Sequence, residues 1–181
     1  MYKRQHQNIA VAFAILRALG IGAEKATAGL ASFRGLPHRM EEVGREGRVL
    51  FINDSKATNP DAASKSLQAY ESIYWIAGGK AGPGGFKSLR GALDRVREGF
   101  LIGVASDEIA ADLEGAVRLE RCRTLDRALD RARAQAALDG AAEPVVLLAP
   151  ACKSFDQFRS YEHRGDEFRE LVRSRVLEQQ P

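Results

Sequence analysis

The chain opens on two stretches of helical patterning and then changes texture. Residues 8–19, NIAVAFAILRAL, are rich in alanine and apolar on almost every side, which predicts a buried helix ended by Gly20. Residues 23–33 set Ala26, Leu30 and Phe33 on one helical face. A helix apolar all round needs more partners than the one short helix behind it, so the pair reads as the edge of something larger. Pro37 in RGLPHR then breaks the pattern. Together with Gly35 it marks the boundary expected between residues 1–35 and 36–181.

Past that boundary, residues 40–45 and 48–53 predict two strands joined around Gly47, plausible as a hairpin. Strands and helices then alternate. Strand 73–79 (IYWIAGG) precedes a helix over 86–97, and strand 100–106 (FLIGVAS) precedes a short helix from Asp107. A weak strand over 117–119 precedes a long helix over 125–138, and strand 144–150 (PVVLLAP) precedes a final helix over 165–177. Such alternation implies right-handed crossovers and an α/β fold, with a mostly parallel sheet covered on both faces.

Composition narrows the class. The 181 residues are 45% hydrophobic, enough for one ordinary core and part of a second. Lys and Arg number 27 against 24 Asp and Glu, with the signs interspersed. That mixture describes a solvated surface more than a nucleic-acid footprint, which gathers its bases on one face. Cys122 and Cys152 fit neither a disulfide framework nor a metal-ligand spacing, and His6, His38 and His163 fall in no metal motif. No apolar run reaches membrane-spanning length and no signal-peptide region opens the chain. The expectation is a cytoplasmic protein with no nucleic-acid or membrane partner.

In an open α/β sheet, ligands bind beyond the carboxyl ends of the strands. The loops at those ends are NDSKATNP, GGKAGPGG, SDE and PACKSFDQF, and three of the four combine small residues with a lysine. In the first, Asp54 suits a ribose or a neighbouring cation, and Lys56 offers a compact charge to a phosphate or carboxylate. Helix capping accounts for Asn59 and Pro60, but not for Asp54, Ser55 and Lys56. GGKAGPGG lacks both phosphate-loop fingerprints, so Lys80 is as readily incidental as a ligand contact. Ser154 has no histidine with a clear claim to act as its base, so its hydroxyl reads as a hydrogen-bonding group. Cys152 reads as a small buried residue. His38 and Arg39 stand at the entry to the second domain, where Arg39 either meets a base or phosphate or pairs with Glu41 or Glu42. The residues alone reach an anion-binding α/β domain. An alternative to an enzyme is a stand-alone nucleotide- or amino-acid-binding module without catalysis.

GLPHRMEEV, FINDSKATNPDAA, WIAGG and PACKSFDQFRSYEHRGDEF, in this order and at these spacings, resemble the Mur ligase family, and within it the type that adds D-glutamate. The resemblance runs from about Asn8 to Val172 and implies a C-terminal Rossmann-like domain, preceded by the last two helices of a central ATPase domain. It implies a monomeric ATP-dependent ligase of peptidoglycan biosynthesis that uses Mg2+, whose metal ligands lie mainly in that central domain. The substrates would be ATP, D-glutamate and UDP-N-acetylmuramoyl-L-alanine, joined through an acyl phosphate. Carried over by motif, Asn8, His38, Arg39 and Asp54 would contact ATP, and Lys56 would sit at the transferring phosphoryl group. Thr58, Ser154, Phe155 and Tyr161 would form the D-glutamate pocket. The family's basic residue at the fifth position of the glycine loop is Gly82 here, with Lys80 two residues earlier as its substitute. Of a His-Asn-x-x-Asn element only Asn8 survives, which raises the expectation that residues 1–5 are not native.

Overall fold

The computed structural model describes residues 2–33 and 35–177, with the backbone alone for 2–7 and 177. Met1 lies outside the described residues, as do the side chains by which residues 1–5 would be judged. The chain divides into two compact units, residues 1–36 and 37–181.

The first unit is a helical pair, α1 (Tyr2–Ala18) and α2 (Ala23–Ser32). The expected buried helix is not buried. Ile9, Val11, Ile15 and Leu19 of α1 and its flank are exposed, and Ala26 is the only buried residue described in the unit. Two short helices meet along one stripe, so a helix apolar on every side keeps most of its apolar surface in solvent.

The second unit is a six-stranded sheet in the order β1-β2-β6-β3-β4-β5. β1 (Glu41–Glu46) and β2 (Val49–Asn53) form the expected antiparallel hairpin, with the register shifting between Glu42 and Gly44. β2 runs parallel to β6 (Val145–Leu148), which runs parallel to β3 (Ile73–Gly78). β4 (Val96–Ile102) and β5 (Leu119–Arg123) complete the parallel part. Successive strand residues point to opposite faces, and both faces are apolar. Leu50, Ile52, Trp75 and Leu147 face one core, with α3 (Pro60–Ser66), a 3₁₀ segment (Lys87–Ala92) and α4 (Ser106–Asp112) beside it. Phe51, Ile76, Phe100 and Leu148 face the other, covered by α5 (Leu125–Leu138) and α6 (Tyr161–Val172). Each such fully buried side chain contributes roughly 1.5–3 kcal/mol relative to exposure. The one polar atom of Trp75 is satisfied, its indole N–H donating to Ala149 O at 2.7 Å.

Four expectations are corrected. The helix expected over 86–97 is only the short 3₁₀ segment, because glycines at 84, 85 and 91 disfavour a longer helix. β4 starts at Val96 and ends before Gly103, whose φ of 69° turns the chain away; residues 103–106 are not strand. β5 is Leu119–Arg123 instead of 117–119, a charged edge strand in which only Cys122 is buried. Finally, α6 starts four residues early at Tyr161, because Ser160 caps it by accepting from His163 N at 3.2 Å. Past Val172 the chain continues as a π-helical turn, Arg173–Leu177.

Candidate functional site

The insertion of β6 between β2 and β3 sets the loops that follow these strands side by side at the carboxyl edge of the sheet. Backbone hydrogen bonds then tie them together. Ala151 N donates to Ala57 O at 2.9 Å, joining the loops after β6 and β2. Lys80 and Lys153 exchange both backbone bonds, at 2.8 and 3.0 Å, joining the loops after β3 and β6. That approach requires Gly79, at φ 130°, because a Cβ there would collide with Lys153 O. The glycine loop is therefore pinned through Lys80, while Gly82 and Gly84 beyond it are exposed.

The loop after β2 begins with Asn53, whose amide group is wholly buried. Its Nδ2 reaches Gly165 O, Glu41 Oε2 and His38 Nδ1, each at 3.1 Å, and its Oδ1 accepts from Ser55 N at 3.2 Å. The other ring nitrogen of His38, Nε2, lies 3.7 Å from Asp166 Oδ1. His38 is buried against α6, and a side chain at Gly165 would strike its ring. Arg39 is exposed beside it. Of the two acids open to Arg39, Glu41 pairs instead with Arg169 at 2.9 Å.

Asp54 is 8% exposed, accepting from Met40 N at 3.3 Å and from the Ser66 hydroxyl. Burial pushes its carboxyl above the usual carboxylate range; the bonds from Ser66 and Met40 and the charge of Arg39 only partly offset this. A raised folded-state pKa means stability that is full below the unfolded value and lost as pH rises through the folded one. Asp54→Asn is therefore expected to raise the urea midpoint at pH 7, with the two proteins converging in acid where Asp54 is protonated in both states. A lower midpoint for the variant at pH 7 would show that the lost hydrogen bonds outweigh the burial cost.

Ser55, which helix capping left unexplained, meets Arg164, a residue to which sequence reasoning assigned no role. Arg164 is wholly buried on α6. Its Nε donates to Ser55 Oγ and one terminal nitrogen to Ser55 O, both at 2.9 Å; the other donates to Cys152 O at 3.1 Å and lies 3.5 Å from Gly78 O. One guanidinium thus holds three loops. The Ser55 hydroxyl in turn donates to Tyr161 O at 2.8 Å. Burial pushes Arg164 down to about 10. The available signal was helical spacing, since Arg164 shares a face with Phe168 and Val172, both buried.

Lys56, half-buried, places its Nζ 3.9 Å from the centroid of the Tyr161 ring. Thr58 is half-buried next to Asn59, which caps α3 by accepting from Ala62 N at 2.9 Å. In the loop after β6, Cys152 is buried and its thiol pushed up to about 12 by that burial, which keeps it protonated. Ser154 is buried, Phe155 is 65% exposed, and Asp156 accepts from Val104 N at 3.1 Å in the loop after β4. Arg39, Asp54, Lys56, Thr58, Tyr161, Ser154, Phe155 and Lys80 thus belong to adjoining loops at one edge of the sheet or lead directly into them, while His38 serves as packing beneath them. Asn8 is exposed on α1 in the other unit. Among the described residues, no cluster of three or more His, Cys, Asp or Glu could hold a metal ion.

A doubly covered, mostly parallel sheet with cationic and hydroxyl side chains gathered at its carboxyl edge defines an α/β domain, and that edge is where open α/β sheets bind ligands. Residues 38–152 match the family described as Mur ligase, glutamate ligase domain, and the chain belongs to that family. The UDP-N-acetylmuramoylalanine–D-glutamate ligase of Rhodopseudomonas palustris (strain HaA2) is 54% identical over 166 residues, covering 92% of this chain and 36% of the relative. The enzyme of the same name from Nitrobacter hamburgensis is 52% identical over 168 residues, covering 93% and 36%. The chain thus spans about a third of the length of the curated relatives it matches. The fold is also that of the UDP-N-acetylmuramate–alanine ligase of Thermotoga maritima, at a TM-score of 0.62 and 18% identity over 95% of this chain and 38% of that one. Among the described residues no helix is long and apolar enough to cross a membrane.

Proposed function

We propose that the chain is the C-terminal portion of an ATP-dependent ligase that adds D-glutamate to UDP-N-acetylmuramoyl-L-alanine in peptidoglycan biosynthesis. The observation that carries this reading is the 54% identity to an enzyme of that name along nearly the whole chain. The rim geometry supports it further. In this reading residues 1–35 are the last helices of a central ATPase domain and 36–181 the C-terminal domain of a cytoplasmic, monomeric enzyme serving cell-wall growth and division.

The residues at the rim fit a nucleotide and an amino acid. Asp54, an acceptor held at the rim, receives the ribose hydroxyls of ATP, and the exposed Arg39 meets the base or phosphates. His38, enclosed by Asn53, Gly165 and Asp166, acts by holding the Arg39 segment in place instead of touching ATP. Lys56 stabilises negative charge developing on the transferred phosphoryl group as the substrate carboxylate is activated to an acyl phosphate. Thr58 and Ser154 hold the carboxylates of D-glutamate, Phe155 and Tyr161 wall the pocket, and Lys80 supplies the cation missing at Gly82. In this reading Mg2+ is held mainly by the central domain, since no cluster of three or more His, Cys, Asp or Glu among the described residues could hold it.

The test is reconstitution. The 181 residues joined to the remaining two-thirds of a relative are expected to release ADP and phosphate only when D-glutamate and UDP-N-acetylmuramoyl-L-alanine are both present. The chain by itself is expected to release none. Turnover with another amino acid in preference to D-glutamate would overturn the substrate assignment, and turnover by the 181 residues alone would overturn the fragment reading.

A further inference from the structure

Lys56 sits in a backbone that leaves little freedom. Its N–H donates to His38 O at 3.1 Å, and its carbonyl accepts from Thr58 N at 2.8 Å. The neighbouring Ser55 is held on both sides, by Arg164 and by Tyr161 O. Beyond Cα, however, the lysine stem has four rotatable bonds, and no carboxylate lies within ion-pair distance of Nζ among the described residues. The group that meets Nζ is the Tyr161 ring, at 3.9 Å from its centroid.

That ring is itself fixed. Tyr161 is the first residue of α6, and Ser160 caps the helix just before it. Its carbonyl is anchored by the Ser55 hydroxyl. The His38 ring meets the tyrosine ring edge-on, with centroids 6.2 Å apart and planes at 80°. Glu162, the acid next to Tyr161 in sequence, is engaged by the Tyr161 and Ser160 side chains, which together with a smaller effect of the Lys56 charge hold its carboxyl below the usual range, and it forms no ion pair with Lys56.

We infer that Tyr161 is a positioning residue for Lys56, its ring face holding the ammonium at the rim without neutralising it. A carboxylate partner would fix the lysine equally well but would cancel the charge a phosphoryl group needs. An aromatic face attracts a cation through its quadrupole and carries no net charge. It thereby offsets the rotamer entropy that a free lysine would lose when substrate arrives. This role is separate from walling a D-glutamate pocket. Its contact is a property of the chain, and only its catalytic consequence rests on the proposed ligase activity.

The contact is tested on the 181-residue chain with ¹³C-labelled lysine. The ε-methylene protons of Lys56, assigned by their loss in Lys56→Ala, are expected upfield of the other lysines through the ring current of Tyr161. Tyr161→Phe should keep them there and Tyr161→Leu should return them to the common position. A Lys56 signal among the others in the unmutated chain overturns the inference, as does one that Tyr161→Leu leaves unmoved in a folded spectrum. In the reconstituted enzyme, Tyr161→Leu should lower kcat about tenfold, the scale of one cation–π contact. Phe should restore the rate, and Leu should add nothing on a Lys56→Ala background. A raised KM for D-glutamate at unchanged kcat would overturn positioning and leave the ring as pocket wall alone. An inactive unmutated enzyme with the upfield signal intact would instead count against the ligase reading.

Discussion

Lys56→Ala in the reconstituted enzyme is expected to reduce kcat by about 10²–10³-fold, the scale of losing one preorganised charge at a developing oxyanion. The stability of the 181-residue chain should change by no more than about 1 kcal/mol, because Lys56 is half-buried at the rim, its Nζ meets only the Tyr161 ring face, and it makes no ion pair among the described residues. The contrast between the two measurements identifies the role. A lysine kept for folding would show the reverse: a large shift in urea midpoint with kcat per folded molecule retained. Lys56→Met, which keeps the stem and removes the charge, should resemble Ala in rate. Activity near that of the unmutated enzyme in Lys56→Met would mean that the stem, and not the charge, is what this position supplies.

Arg164→Met is expected to have the opposite profile, with stability lost first. Two effects compete at this site. Removing the guanidinium relieves the burial cost visible in its depressed pKa, and a hydrophobic isostere can offset a buried charge when its partners are replaced too. Here the partners are mainly the carbonyls of Ser55 and Cys152, which no substitution removes. Each buried acceptor left without a donor costs about 1–3 kcal/mol, so the loss outweighs the relief and a net decrease of about 2–5 kcal/mol follows. Urea unfolding of the 181-residue chain reads this directly. Arg164→Lys should recover only part of the loss, because a point donor cannot span loops that a planar fork bridges. A neutral result for Arg164→Met would show that water replaces the guanidinium at these carbonyls.

Periodicity alone located α5 over its whole length, the β1–β2 hairpin to within a residue at each end, and the buried strands β3 and β6. These segments are long or wholly apolar, so few alternatives compete. It failed on β5, where Glu120, Arg121 and Arg123 alternate around the single buried Cys122. An edge strand tolerates charge that a central strand does not, so apolar content is a poor guide there. It also failed on the start of α6, because the first turn, YEHR, carries little apolar content and the start is set by the cap at Ser160. The apolar run FLIGVAS placed β4 too late. Gly103 ends that strand, and Val104, though apolar, is 74% exposed.

For the site, the residue types in NDSKATNP, GGKAGPGG and PACKSFDQF were enough to mark three loops, because a turn has no need of a buried carboxylate or spare lysines. Which loops adjoin was beyond reach, because the insertion of β6 between β2 and β3 is a pairing of strands about 70 to 95 residues apart along the chain. So was the division of labour among neighbours in one loop. Asn53, Asp54 and Ser55 are as polar as Lys56, yet Asn53 and Ser55 spend their hydrogen bonds inward on His38, Gly165, Arg164 and Tyr161, and Asp54 accepts from Met40 N and Ser66. Local sequence therefore determined the α/β class, most of the helices, the central strands β2, β3 and β6, and the candidate loops, all of which depend on period and residue type. Tertiary structure alone decided which polar groups are consumed in holding the rim and which remain to meet a ligand. Burial and partner distance settle that choice, and both are set by residues a hundred positions away.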